Sequence, residues 1–187
     1  MLKHIEEVGK YVEITGFRNV GVNNAEKFVK TTRRQLPQSS CVQFFDAGLV
    51  ATWQHLYFAV LNALLAFKNE RNISKSVAME TMLYASAQRQ IRKAINFIGV
   101  KCDVADVAMV IIGKNAKSVG ILLSAVSKHI DKEADDTVLE ISEKKARSIR
   151  EAFGITDIEL DALQKNDDNE VLVDLVIEKM ALLSTQL

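Results

Sequence analysis

The stretch AGLVATWQHLYFAVLNALLAFKNERNISKSVAMETMLYASAQRQIRKAINFIG, Ala47 to Gly99, decides the fold. Its first part predicts a helix from Leu49 to Phe67. That segment is apolar almost all round, which marks a buried core helix. Gln54, His55 and Asn62 interrupt it, and its clean apolar runs are too short for a membrane span. A polar turn, Lys68 to Ser74, follows. A second helix is predicted from Ser76 to Ile98, with Ser76 as N-cap and Gly99 as the stop. On the first helix His55, Ala59, Asn62 and Ala66 share one small, polar stripe. On the second, Met79, Leu83, Ala87, Ile91, Ala94 and Ile98 form the apolar stripe, and Arg89, Arg92, Lys93 and Asn96 form the opposite one. Lys68 to Lys101 holds seven Lys/Arg against two Glu, a local excess of five positive charges.

Outward from this hairpin the chain alternates strands and helices. Val42 to Phe45 reads as a short strand leading into it. Before that, Tyr11 to Phe17 alternates and is rich in β-formers, so it predicts a strand. Asn23 or Asn24 can cap a helix from Ala25 to about Gln35, whose cations Lys27, Lys30, Arg33 and Arg34 read as a solvated face. After Gly99, Asp106 to Gly113 is the near-continuous apolar run of a strand buried on both faces. A helix is expected from Asn115 to His129, an acidic loop at Asp131 to Asp136, and a short strand at Thr137 to Ile141. Ser142 caps a helix that Gly154 ends, and Thr156 or Asp157 caps a shorter one. The last helix runs from Asn169 to Leu183, apolar on two adjacent faces. The expected class is α/β in the α+β sense. It has a small mixed sheet packed against several helices around a long central helical hairpin, in one globular domain over residues 1–187.

Composition bounds the function classes. Of 187 residues, 48% are apolar and 26% charged, the globular range. Lys+Arg and Asp+Glu balance at 24 each, so only the distribution of charge can point to a partner. Asp131 to Val171 carries thirteen acidic residues against six basic ones, so a basic middle faces an acidic last third. Met1 to Lys10 is too polar for a secretory leader. Cys41 and Cys102 form no redox or metal motif, which favours a reducing compartment and a cytoplasmic location, with a nuclear pool in a eukaryote.

Catalysis needs a nucleophile, base or metal held by partners. The three histidines, His4, His55 and His129, form no HExxH pair. No GxSxG and no phosphate-loop spacing occurs around Gly113, Lys114 and Ser118. His55 reads as a satisfied histidine in a helix–helix contact, and a small-ligand enzyme built on its stripe is the weakest reading. No metal, cofactor or small-molecule substrate is expected. Binding remains. Arg89, Arg92 and Lys93, with Gln88 and Gln90 beside them, can offer guanidinium forks and amides to phosphates and bases. Arg71, Asn72 and Lys75 lie in the turn at the other end of the same helix. Trp53, Tyr57 and Tyr84 are the aromatic candidates for stacking.

The run QFFDAGLVATWQHLYFAVLNALLAF, then RNIS, then METMLYASAQRQIRKAINFIGVK resembles the kinase-binding accessory subunit of the KEOPS/EKC complex, the TPRKB family. The resemblance rests on His55-Leu56 and the alanines after it, Asn72, Glu80, Tyr84-Ala85-Ser86, Gln88-Arg89-Gln90-Ile91, Ala94-Ile95 and Gly99. It is strongest from Val42 to Val100. Members of that family often carry Gly where this chain has Ala87. The resemblance implies a non-catalytic subunit of a machine that makes threonylcarbamoyl-adenosine in tRNA. Its partners would be the complex's atypical kinase/ATPase subunit and the single-stranded 3′ CCA end of tRNA. The candidate RNA-binding set is then Arg71, Asn72, Lys75, Gln88, Arg89, Gln90, Arg92 and Lys93. An uncovered apolar face would be needed for the kinase, and Leu172, Leu175, Val176, Met180 and Leu183 are its candidates. The rival is a protein-interaction module that activates the kinase without touching RNA.

Overall fold

Alternation in Tyr11 to Phe17 and the apolar run after Asp106 produce the two inner strands of the sheet. The computed structural model describes residues 1–163 and 167–185. Among these, the strands β1 (Leu2–Ile5), β2 (Lys10–Phe17), β3 (Cys41–Asp46) and β4 (Val107–Gly113) lie in the order β1-β2-β4-β3. β4 is central because its side chains are buried on both faces. Tyr11 stands opposite Gly113 and Phe17 opposite Val107, while Cys41 faces Ile112 and Asp46 faces Val107. Every pairing is antiparallel, so the sheet is not the mixed one expected from sequence. The mixed α/β character itself stands.

Two strand expectations change. β1 forms in a segment that reads as merely charged, because Leu2 to Ile5 pairs with Lys10 to Glu13 at an edge. Thr137 to Ile141 is not a strand. Asp136–Leu139 makes a 3-10 turn, since the Asp135 side chain accepts the Thr137 N–H and competes with any ladder. That turn lies against β2, where the Asp135 N–H donates to the Gly16 carbonyl. A Cβ on Gly16 would stand 2.8 Å from Val138, so only glycine permits the approach.

Eight helices are present among the described residues: α1 (Ala25–Arg34), α2 (Trp53–Lys68), α3 (Val77–Ala85), α4 (Ile91–Ile98), α5 (Ala116–Ile130), α6 (Glu143–Phe153), α7 (Asp157–Ala162) and α8 (Asp168–Thr185). α2 starts later than Leu49, because Ala47–Leu49 is a separate 3-10 turn and Thr52 caps the helix at Gln54. The hairpin's second arm is not one helix. It breaks at Ser86 to Gln90, and Ala87 adopts a left-handed φ of 50°. The Ala87 N–H bonds the Tyr84 carbonyl and the Gln88 N–H bonds that of Leu83. This paired pattern is a helix C-terminal motif whose left-handed position glycine usually fills. Ala87 therefore lies in the break and not on a continuous apolar stripe, and Ile91 beyond it is 43% exposed.

β4 sorts the core. Ala108, Val110 and Ile112 point toward α2, α3 and α8, and Val107, Met109 and Ile111 toward α1 and α5. A smaller cluster of Ile149, Ile155, Leu172, Leu175 and Val176 lies among α6, α7 and α8. The five α8 residues expected at a docking face are placed inside the chain's own cores. Leu172, Leu175 and Val176 fill this smaller cluster, and Met180 and Leu183 fill the main one. All five are at most 6% exposed, so the two apolar faces serve two cores of this chain.

Candidate nucleic-acid interface

The turn before α3 is built around one carboxylate. Glu80 is fully buried, and its oxygens accept the Ile73 N–H at 3.0 Å and the Ser74 N–H at 2.7 Å. The Asn72 amide donates to the Ser74 carbonyl at 2.9 Å, and the Ser76 side chain caps α3 at Met79. Asn72 thus shapes the turn with its side-chain amide, while Arg71 and Lys75 stand exposed on it. Sequence reasoning missed the role of Glu80. Its signal is a lone acid inside the apolar run METMLYA.

His55 is fully buried. Nδ1 accepts the Ala51 N–H at 3.2 Å and Nε2 donates to the Ala85 carbonyl at 2.8 Å. Burial pushes its pKa down to about 4, so the ring is neutral. The histidine fastens the start of α2 to the last turn of α3, just before the break. Ala59 and Ala66 of its stripe are core residues, and Asn62 donates back to the Phe58 carbonyl of its own helix. The stripe is therefore helix packing, and both ring nitrogens are already engaged. Tyr84 is also core. Trp53 packs edge-on to Tyr57, and the Lys3 ammonium lies 4.4 Å from the Trp53 ring.

Arg89, Gln90, Arg92 and Lys93 are exposed around the N-terminus of α4, with Gln88 half-buried beside them. Gln90 is the N-cap residue, yet its side chain makes no capping bond, and the first turn holds no acid. Positive charge there opposes the helix dipole, by about 0.3–1 kcal/mol per group. No ion pair among the described residues involves Arg92 or Lys93. The break thus gathers Gln88 to Lys93 at one helix start. Arg71 and Lys75 stay at the far end of α3, separated by about 13 Å of helix.

A groove of about 990 Å³ opens where α1 approaches α4 beside β3. Lys30, Arg33, Arg34 and Lys101 line it against one acid, Glu26. All four cations of α1 are exposed, as expected of a solvated face, and three of them, Lys30, Arg33 and Arg34, also rim this groove. A second cleft, about 440 Å³, holds Arg18, Lys144 and Lys145 with Asp46, Asp106 and Glu140. Burial lowers the Lys145 pKa to about 8. Its amine donates to the Val138 and Glu140 carbonyls, so it anchors the 3-10 turn. Among the described residues no group of three or more His, Cys, Asp or Glu could hold a metal ion, and no helix is long and apolar enough to cross a membrane.

The sequence profile described as kinase binding protein CGI-121 matches residues 17–184. The regulatory protein Cgi121 of Methanocaldococcus jannaschii is 39% identical over 113 residues, which span 60% of this chain and 70% of that protein. Both matches bear out the family read from Val42 to Val100. The chain belongs to the CGI-121 family of kinase binding proteins.

Proposed function

We propose that this chain is a non-catalytic adaptor of the KEOPS/EKC complex. It docks the atypical kinase/ATPase subunit and holds the single-stranded 3′ CCA end of tRNA for threonylcarbamoyl-adenosine modification. The kinase half draws on the family description and on the name of the archaeal relative. The RNA half is supported by one observation above the rest. The α4 start has no side-chain cap, no acid and two cations in its first turn. A fold left to itself would place Asp or Glu there, so the arrangement is costly until an anion arrives. Phosphate groups supply that anion, accepting from backbone N–H groups and from Arg92 and Lys93 together. A weak grip suffices, because a second contact on the substrate raises its effective concentration at the modifying subunits.

With the α8 core residues committed, other side chains must meet the kinase. α2 and α8 pack together, and Phe58 and Leu182 on them are 37% and 48% exposed. These exposed apolar groups on the two helices are our candidates for contact with the kinase. One experiment separates the two halves. Arg92→Glu with Lys93→Glu should weaken tRNA binding by about tenfold or more at moderate salt and flatten its salt dependence, because released counterions scale with the phosphates neutralised. Kinase capture should be unchanged. Phe58→Glu with Leu182→Glu should show the reverse. Full tRNA affinity in the folded charge-reversed protein would remove α4 from the RNA interface and favour a protein-only module.

A further inference from the structure

We infer that a cleft at the end of the sheet, where the start of α5 meets α2 and α3, binds a small acyl carboxylate, with its head between Lys10 and Lys114 and its chain on an apolar wall. This goes beyond the adaptor role and does not depend on it. β2 and β4 make their last pair at Tyr11 and Gly113. Lys10 and Lys114 are the next residues outward on the two strands, and both line the cleft. Like charges at facing positions of an antiparallel pair destabilise it. Nothing among the described residues relieves these two. Neither lysine is in an ion pair, no carboxylate lines the cleft, and the first turn of α5 holds no acid. Lys10 is moreover half-buried, where an unpaired charge is costly. An anion between the two ammonium groups removes both costs.

The walls say what the anion carries. The cleft has a volume of about 570 Å³, in the range of small-molecule sites. Leu64, Val77, Ile112, Ile121 and Leu122 line it from α2, α3, β4 and α5. Ile121 is 60% exposed, an apolar surface that the fold leaves bare. A Cβ on Gly113 would stand 2.7 Å from Val119 and 2.8 Å from Ser118, so glycine lets the first turn of α5 rest on the strand end and close this wall. The turn from Pro37 to Ser40, held by the Ser40 N–H on the Pro37 carbonyl at 2.9 Å, forms another bank. The helix start is not the anion seat, because the Asn115 side chain already accepts the Ser118 N–H at 2.8 Å. A nucleotide fits less well. No aromatic side chain lines the cleft, and the Asn115 side-chain oxygen is taken by the cap. An acyl chain needs only the aliphatic wall.

The test titrates the full chain with octanoate, and with butyrate, octylamine and inorganic phosphate as controls. Octanoate should bind saturably and about tenfold or more tighter than each control, because butyrate has less apolar area, octylamine the wrong charge and phosphate no chain. Lys114→Glu places a carboxylate beside Lys10. It should weaken octanoate binding by about tenfold or more, with a melting temperature equal to or above that of the native protein. Ile121→Asp, at an exposed position of the wall, should weaken it by a similar factor. Cys41 reports the location, since it lines the cleft. Burial pushes its thiol up to about 11, so its alkylation is slow and should become slower with octanoate, while that of the exposed Cys102 is unchanged. Octanoate affinity no higher than that of butyrate or octylamine, or kept by either variant, would overturn the assignment. Phosphate binding as tight as octanoate would overturn it in favour of a bare ion seat. Loss of single-stranded RNA affinity in Lys114→Glu, with no octanoate binding to the native protein, would overturn it in favour of a polyanion surface.

Discussion

The turn entering α3 and the turn entering α4, whose N-cap residues Ser76 and Gln90 are fourteen positions apart, treat the start of a helix in opposite ways. Before α3, Ser76 caps the helix and the buried Glu80 carboxylate takes the N–H groups of Ile73 and Ser74. Donors and acceptors close on themselves there. Before α4, Gln90 leaves the helix uncapped and Arg92 and Lys93 add positive charge to an already positive end. The first arrangement lowers the energy of the fold. The second raises it slightly and leaves donors facing out, which is where a binding role is expected to show.

The sharpest way to break this contrast is Glu80→Ala. It strands two backbone donors inside the protein, so a stability loss of about 3 kcal/mol is expected from denaturant unfolding. A loss no larger than that of a surface substitution would mean that the turn is not built on this carboxylate. His55 gives the next largest effect, as a pH dependence. Its folded pKa is held near 4 against an ordinary value of 6.5. The neutral ring favours the fold fully above the ordinary value, and that stability is lost as pH falls toward the folded one. Unfolding at about pH 5 should cost about 2 kcal/mol less than at about pH 7, and His55→Gln should remove that difference. A wild-type stability that stays flat across this range would contradict the buried neutral ring.

Gln90→Asp sharpens the contrast from the other side. A carboxylate at the N-cap should bond the free N–H groups and raise stability by about 1 kcal/mol. The same change should weaken RNA binding, because it fills the site with its own anion. A gain in stability with no loss of RNA affinity would separate the helix start from the RNA interface. The smallest effect belongs to Ala87→Gly, which relieves the left-handed φ of 50° and should add about 0.5 kcal/mol. Destabilisation by glycine would argue for a continuous helix through this point.

How far the sequence could be read follows from which physical signals are local. The apolar wrap of α2, the buried run of β4, the Ser142 cap and the Gly154 stop all depend on neighbours in the chain, and the structure repeats them. The break after Ala85 was not legible. Alanine is the strongest helix former, so Ala87 conceals a left-handed turn that a glycine would have announced. β1 escaped because its few residues are fixed by pairing with β2 and not by their own pattern. For the candidate site, the basic character of Gln88 to Lys93 was visible as composition. Its concentration at an uncapped helix start was not, since that depends on the break. The groove was invisible for a further reason. α1 and α4 are more than fifty residues apart, and only the path of β3 between them brings Arg33 and Ile95 to one cavity. On α8, two apolar faces looked like one core and one free surface, until the cluster among α6, α7 and α8 claimed the second.

The most direct measurement is a titration of the unmodified protein against two tRNAs at one moderate salt concentration, one intact and one lacking its terminal CCA. Binding of the intact tRNA is expected, with a loss of about tenfold or more without the CCA, since the single-stranded end that α4 would hold is then missing. Equal binding to both would reduce the α4 region to a nonspecific cationic patch and contradict the claim that this protein holds the tRNA end.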